Sequence, residues 1–360
     1  MSYKRKRITV KIGSNVLARP DGTLDITRMS ALTDQIAELH KAGVEIIVIS
    51  SGAVASGRSE LKIHRKLDAV SARQLFSAVG QAKLINRYYE LFREHNIACG
   101  QVLTTKENFS TRRQYLTQKQ CMEVMLENKV IPIVNENDTI SVTELMFTDN
   151  DELSGLVAAM MGAEVLVILS NIDGIYDGSP SDPASQVIRR VAPGRDLSQY
   201  IDTARSSRGR GGMTTKSRIS SRAAGEGIEV VIANGRRDNI LTDLILTDRD
   251  VVCTRFEAAP RPASGVKKWI ASSEGFAKGA LHLDAGAAAA VSQSKAASIL
   301  AVGVTAVEGD FERDDIVRIL SPEGAPLGVG RISCDSATAR RNLGRKGLKP
   351  LIHCDYLYLE

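Results

Sequence analysis

Two clusters of short carboxylates and amides stand in the middle of the chain. Val130-Ile131-Pro132-Ile133-Val134 has the β-branched bias of a buried strand and breaks abruptly into Asn135-Glu136-Asn137-Asp138. After a short excursion comes Thr148-Asp149-Asn150-Asp151, and from Leu153 to Met161 an apolar helical pattern resumes. Ligands of open α/β sheets bind just past the carboxyl ends of the strands. Side chains of this kind placed there can hold an ammonium, a carboxylate or hydrated Mg²⁺. Asn and Asp also make good turns and caps. Two such clusters around one excursion favour a site.

Cations and glycine turns accompany them. Lys11 sits between Val10 and Ile12 in an otherwise apolar strand that runs into Gly13-Ser14-Asn15. It can reach into a cleft at the strand's end, or stand on an exposed edge. Val44 to Ile49 reads as a second buried strand and empties into Ser50-Ser51-Gly52-Ala53-Val54-Ala55-Ser56-Gly57. Small residues there let backbone amides approach an anion, or simply pack a tight strand-to-helix turn. A second glycine turn, Arg210-Gly211-Gly212-Met213-Thr214-Thr215-Lys216, leads into a helix through Gly225.

Familiar alternatives are absent. Lys216 follows Thr215 rather than glycine, so there is no Walker A loop. No GxGxxG follows the first strand. The histidines (His40, His64, His95, His282, His353) form neither a metal-ligand spacing nor a triad pattern. What remains suits phosphoryl transfer to an acceptor that is already ionised, where charge neutralisation and alignment matter more than covalent help. A carboxylate acceptor, with a pKa near ~4.3, needs no general base. Mg²⁺ would ride mainly on ATP phosphates and waters.

The elements that must position these residues alternate β and α. An amphipathic helix from Thr27 to Ala42 ends at Gly43. Helical patterns run from Asp68 to His95 and from Arg112 to Asn128, with a strand from Ile97 to Leu103 between them. Strands from Glu164 to Leu169 and from Ile228 to Ala233 follow, separated by an irregular excursion over 178–212 and the helix after Lys216. The pattern predicts a mostly parallel sheet covered on both faces. Composition changes near Ala258 to Gly265, a linker signal. Beyond it the short strands Gly279–Leu283, Ile299–Val307, Ile316–Leu320, Pro326–Ile332 and Tyr356–Leu359 read as a small β-rich barrel or sandwich.

Length and composition agree. The 360 residues, 43% hydrophobic and 25% charged, are ordinary for two globular domains. No apolar run approaches the roughly 20 residues of a membrane span. The basic N-terminus lacks the apolar core of a signal peptide. Five scattered cysteines without a CxxC pair fit a reducing cytoplasm. The net charge is +5, but residues 266–360 carry 12 Lys and Arg against 11 Asp and Glu.

Five motifs taken in order (Lys11-Ile12-Gly13-Ser14, Ser50-Ser51-Gly52-Ala53, Asn135 to Asp138, Asp149-Asn150-Asp151 and Gly211 to Lys216) resemble those of the glutamate 5-kinase group of amino acid kinases. From Lys267-Lys268-Trp269-Ile270 onward the chain is similar to the PUA domain often appended to that group. The resemblance implies a three-layer αβα sandwich over 1–258, a linker at 259–266 and a PUA-like domain at 267–360. It implies ATP-dependent phosphorylation of the γ-carboxylate of L-glutamate, the first step of proline biosynthesis, with Mg²⁺, homo-oligomers (dimer or tetramer) and proline as feedback inhibitor. By position, Lys11 and Lys216 would stabilise the moving phosphoryl and Asp151 would orient them. Ser51, Gly52, Asp138 and Asn150 would bind glutamate. Lys11, Ser170 and Asn171, with Arg210, Gly211, Gly212, Met213, Thr214, Thr215 and Lys216, would line the nucleotide; no side chain is assigned to metal. The chain departs from the pattern at Asn171, where Asp is usual, and at Arg210, where Thr is common. Two other readings stand beside this one: an amino acid kinase for aspartate, N-acetylglutamate or carbamate, and an RNA-binding protein with a vestigial kinase domain.

Overall fold

The computed structural model describes residues 7–62, 67–109, 112–141, 147, 149–180, 182–200, 212–247, 249–260, 270, 277–293 and 297–359. They belong to two compact units, Met1–Lys106 with Gln118–Pro262, and Glu107–Thr117 with Ala263–Glu360.

The first unit is built on β1 (Arg7–Ile12), β2 (Glu45–Ser50), β3 (Cys99–Thr104), β4 (Ile131–Glu136), β5 (Val165–Ser170), β6 (Arg190–Val191), β7 (Glu229–Asn234) and β8 (Thr254–Phe256). They form one sheet in the order β3-β4-β2-β1-β5-β7-β8-β6. All pairings are parallel except β7 with β8. The helices are α1 (Ser14–Leu17), α2 (Ile26–Lys41), α3 (Ala53–Glu60), α4 (Ala69–Glu94), α5 (Arg112–Glu127, of which the part from Gln118 falls in this unit), α6 (Asn150–Met161), α7 (Met213–Gly225) and α8 (Ile240–Ile245).

The period-2 alternation of strands separates two cores. Ile8, Val10 and Ile12 of β1 pack with Met29, Leu32 and Tyr88 on one face. On the other face Leu166 and Ile168 pack with Ala158 and Ala223. This is the expected sheet, apolar on both sides because helices cover both sides. The strand expected from Ile97 starts instead at Cys99. Asn96 takes a left-handed φ of 58° and the Ile97 amide bonds back to Phe92, so the helix-ending turn claims Ile97.

Two glycines set the contact of α3 with α4. A Cβ at Gly80 of α4 would run into the Ala53 carbonyl of α3, and one at Gly57 of α3 into the Phe76 carbonyl of α4. The two backbones therefore touch.

The second unit holds a sheet of β9 (Gly279–Leu283), β10 (Val304–Gly309), β11 (Ile316–Leu320), β12 (Pro326–Arg331) and β13 (Leu357–Leu359), ordered β10-β9-β11-β12-β13. Two helices complete it, α9 (Ala285–Gln293) and α10 (Ser336–Arg341), neither of which the alternation pattern announced. The strand expected over Ile299–Val307 shrinks to β10. Ile299 makes only a bridge to Ile352, and Ala301–Gly303 is a 3₁₀ turn.

Candidate active site

Lys11 follows from strand geometry. Ile8, Val10 and Ile12 take one face of β1, so Lys11 emerges on the other, which α6 covers. Asp149 starts α6 by accepting the amides of Asp151 and Glu152, at 2.9 and 3.0 Å. That cap fixes Asp151 in the first turn. Gly212 precedes α7, and the Lys216 amide closes its first turn on the Gly212 carbonyl at 3.2 Å.

The three elements bring their charges together. Lys11 Nζ lies 2.5 Å from Asp151 Oδ1 and Lys216 Nζ lies 2.8 Å from Asp151 Oδ2. Asp151 is 1% exposed and Lys11 5%. Burial alone would raise the Asp151 carboxyl above its ordinary range; the two ammonium groups outweigh it and hold the carboxyl at about 2. Asp149 moves the other way, raised by burial and then by the Asp151 charge.

The sign for stability follows. A carboxyl whose folded pKa is depressed stabilises the fold above its unfolded value, and that share is lost as pH falls through the folded value. For Asp151 that share is lost as pH falls from the ordinary carboxylate range toward about 2. Unfolding free energy measured against pH should fall across this window in the wild type and fall less steeply in Asp151→Asn. Identical slopes would contradict the assignment.

A second constellation lies past the ends of β2 and β4. Gly52 caps α3 with φ 109°, a left-handed conformation that glycine adopts readily. Asn150 Nδ2 donates to Ser51 Oγ at 3.0 Å and to Asn135 Oδ1 at 2.9 Å, joining the turn after β2 to the end of β4. Asp138 is buried. Its Oδ1 takes the Arg73 guanidinium and its Oδ2 accepts the Ser77 hydroxyl at 3.2 Å. Arg73 also reaches Glu136 Oε2 at 2.9 Å, and Asn135 Nδ2 donates to Gln81 at 2.8 Å. Arg73, Ser77 and Gln81 thus form a polar stripe one helical turn apart on α4, facing the end of β4. Sequence reasoning missed all three, although their i, i+4, i+8 spacing is the signal of one helix face.

Ser170 ends β5 and its carbonyl accepts the Gly235 amide at 2.8 Å. Asn171 is exposed. Two residues on, Asp173 takes a bidentate contact from Arg237 at 2.7 and 2.8 Å, tying the chain after β5 to the end of β7. Gly212 to Lys216 form the turn and first residues of α7; Thr148, Arg210 and Gly211 lie outside the described residues. The carboxylates near the lysines offer no cage for a divalent cation among the described residues. Asp151 has a lysine on each oxygen, and Asp149 caps α6. That donor set fits Mg²⁺ carried on nucleotide phosphates.

Residues 6–234 match the amino acid kinase family. The chain belongs to that family. In this amino acid kinase, residues 279–351 also match the PUA domain. A glutamate 5-kinase of Bacteroides thetaiotaomicron is 68% identical over all of both chains. One of Chlorobaculum tepidum is 45% identical over 98% of this chain and 97% of its own. A solved isopentenyl phosphate kinase shares the fold, with TM-score 0.50 and 15% identity over 69% of this chain and 99% of that one. No helix among the described residues of this amino acid kinase is long and apolar enough to cross a membrane.

Proposed function

We propose that this amino acid kinase transfers the γ-phosphoryl group of ATP to the γ-carboxylate of L-glutamate. The products are γ-glutamyl phosphate and ADP, and the step opens proline biosynthesis in the cytoplasm. The observation that carries this reading is the pair of lysine ammoniums held on one buried aspartate, beside the Asn/Asp cluster at the end of β4.

A carboxylate oxygen attacks the γ-phosphorus while the bond to the β-phosphate oxygen breaks. No proton has to be removed from the acceptor. Lys11 and Lys216 neutralise charge on the transferring oxygens, where preorganised cations act most strongly. Asp151 keeps both lysine stems, otherwise flexible, in one geometry. Ser51, Gly52, Asn150 and Asp138 hold glutamate. Ser170, Asn171 and residues 210–216 line the nucleotide, with amides at the start of α7 facing phosphate. Mg²⁺ bound to ATP supplies further charge neutralisation.

The same reading assigns residues 1–258 to catalysis, 259–266 to a linker and 267–360 to the PUA-like part. Proline inhibition and assembly into a dimer or tetramer belong to it. The near-neutral charge of residues 266–360 gives RNA binding no support.

Glutamate-dependent ADP release, with hydroxylamine trapping the acyl phosphate as a hydroxamate, tests the reading. Hydroxamate is expected with glutamate and not with aspartate, N-acetylglutamate or carbamate. ADP release with one of those three and none with glutamate would reassign the substrate.

A further inference from the structure

The Arg73 guanidinium occupies the carboxylate that the proposed function reserves for the ammonium of glutamate. It bridges Asp138 and Glu136, with its side chain 14% exposed. An ammonium can take its place on Asp138 only if the guanidinium turns away. Moving it to solvent would strip the cation of both carboxylates it now contacts, Asp138 and Glu136. The substrate itself offers the solution, because its α-carboxylate is bonded to the carbon that bears the ammonium. A guanidinium displaced by that ammonium finds a carboxylate a few ångströms away, in the planar fork geometry that arginine matches.

The rest of the local architecture favours this exchange over a fixed structural ion pair. Glu136 stays behind as an anchor: its Oε1 accepts the Phe147 amide at 3.0 Å while Oε2 holds Arg73. Ser77 keeps the second oxygen of Asp138 directed. Gln81, one turn further along the stripe, has its Nε2 buried and without a partner among the described residues, a donor left for an acceptor.

We propose that Arg73 is the receptor for the substrate's α-carboxylate, exchanging Asp138 for it as the substrate ammonium binds. This rests on the proposed reaction with glutamate. Arg73 then selects acceptors with both α-groups, and Glu136 is a positioning residue for it.

The test compares glutamate with γ-aminobutyrate, which keeps the ammonium and the reacting carboxylate but lacks the α-carboxylate. The wild type should prefer glutamate by roughly 30-fold or more in kcat/KM, the scale for leaving a desolvated charge unpaired. In Arg73→Gln, folded by its circular dichroism, that preference should collapse toward unity, with KM for ATP unchanged. Arg73→Lys should recover part of the preference. Two results would overturn the proposal: equal use of the two acceptors by the wild type, which needs no variant to fold, or an undiminished preference in Arg73→Gln. A wild type that turns over neither acceptor would instead remove the glutamate reading beneath it.

Discussion

Lys11→Ala and Lys216→Ala are each expected to lower kcat by about 10²-fold or more, the scale for losing one preorganised transition-state contact. The reason lies in charge count and rigidity together. Two ammoniums around one carboxylate leave a net positive charge in a buried site, and Asp151 prevents the long lysine stems from wandering. Either alanine cancels that net charge. The two substitutions remove cations held by different elements, β1 and α7, so equal losses would point to a shared role at the transferring group. KM for glutamate should change much less. Single-turnover hydroxamate formation reads the chemical step, and melting curves exclude unfolding. Near-full turnover in either variant would remove that lysine from the mechanism.

Asp138→Asn is expected to raise KM for glutamate by roughly 30-fold to several thousand-fold, the factor for losing one partner of a desolvated charge pair. KM for ATP should stay within a small factor. N-acetylglutamate, which has no ammonium, should be a poor wild-type substrate because it lacks the cation proposed to take the place of Arg73 on Asp138. Asp138 holds a guanidinium and a hydroxyl, so the asparagine variant also weakens the hold on α4. A purely structural role would therefore lower the melting temperature and move both KM values together. Equal wild-type use of glutamate and N-acetylglutamate would sink the ammonium assignment.

Much of this site was legible in the chain because its residues break local rules. A lysine inside an apolar strand, acidic and amide residues crowding a strand end, and paired glycines before a helix each conflict with ordinary core patterning. Lys11, Asp151 and Lys216 converge as their motif order implied. The α4 stripe was not legible, because polar residues at helical spacing usually mark a solvated face. What holds Arg73 is the end of β4 and the turn after it, where Glu136 and Asp138 lie 63 and 65 residues away in sequence. Asp173 escaped for the same reason, since its partner Arg237 belongs to another strand end. In the second unit the alanine-rich run became α9, since alternation carries no information in a stretch of nearly uniform side chains.

The touching backbones of α3 and α4 constrain how the acceptor pocket can change. α3 begins at the Gly52 turn, and α4 carries Arg73, Ser77 and Gln81, so the two glycine contacts join the helices that carry these groups into a single stiff plate. Neither helix has room for a side chain at these two positions. A displacement of one helix must then carry the other with it. The same stiffness limits redesign. A bulkier acceptor has to be accommodated by trimming side chains along the stripe, because the spacing of the helices is set by atoms that no substitution can shorten.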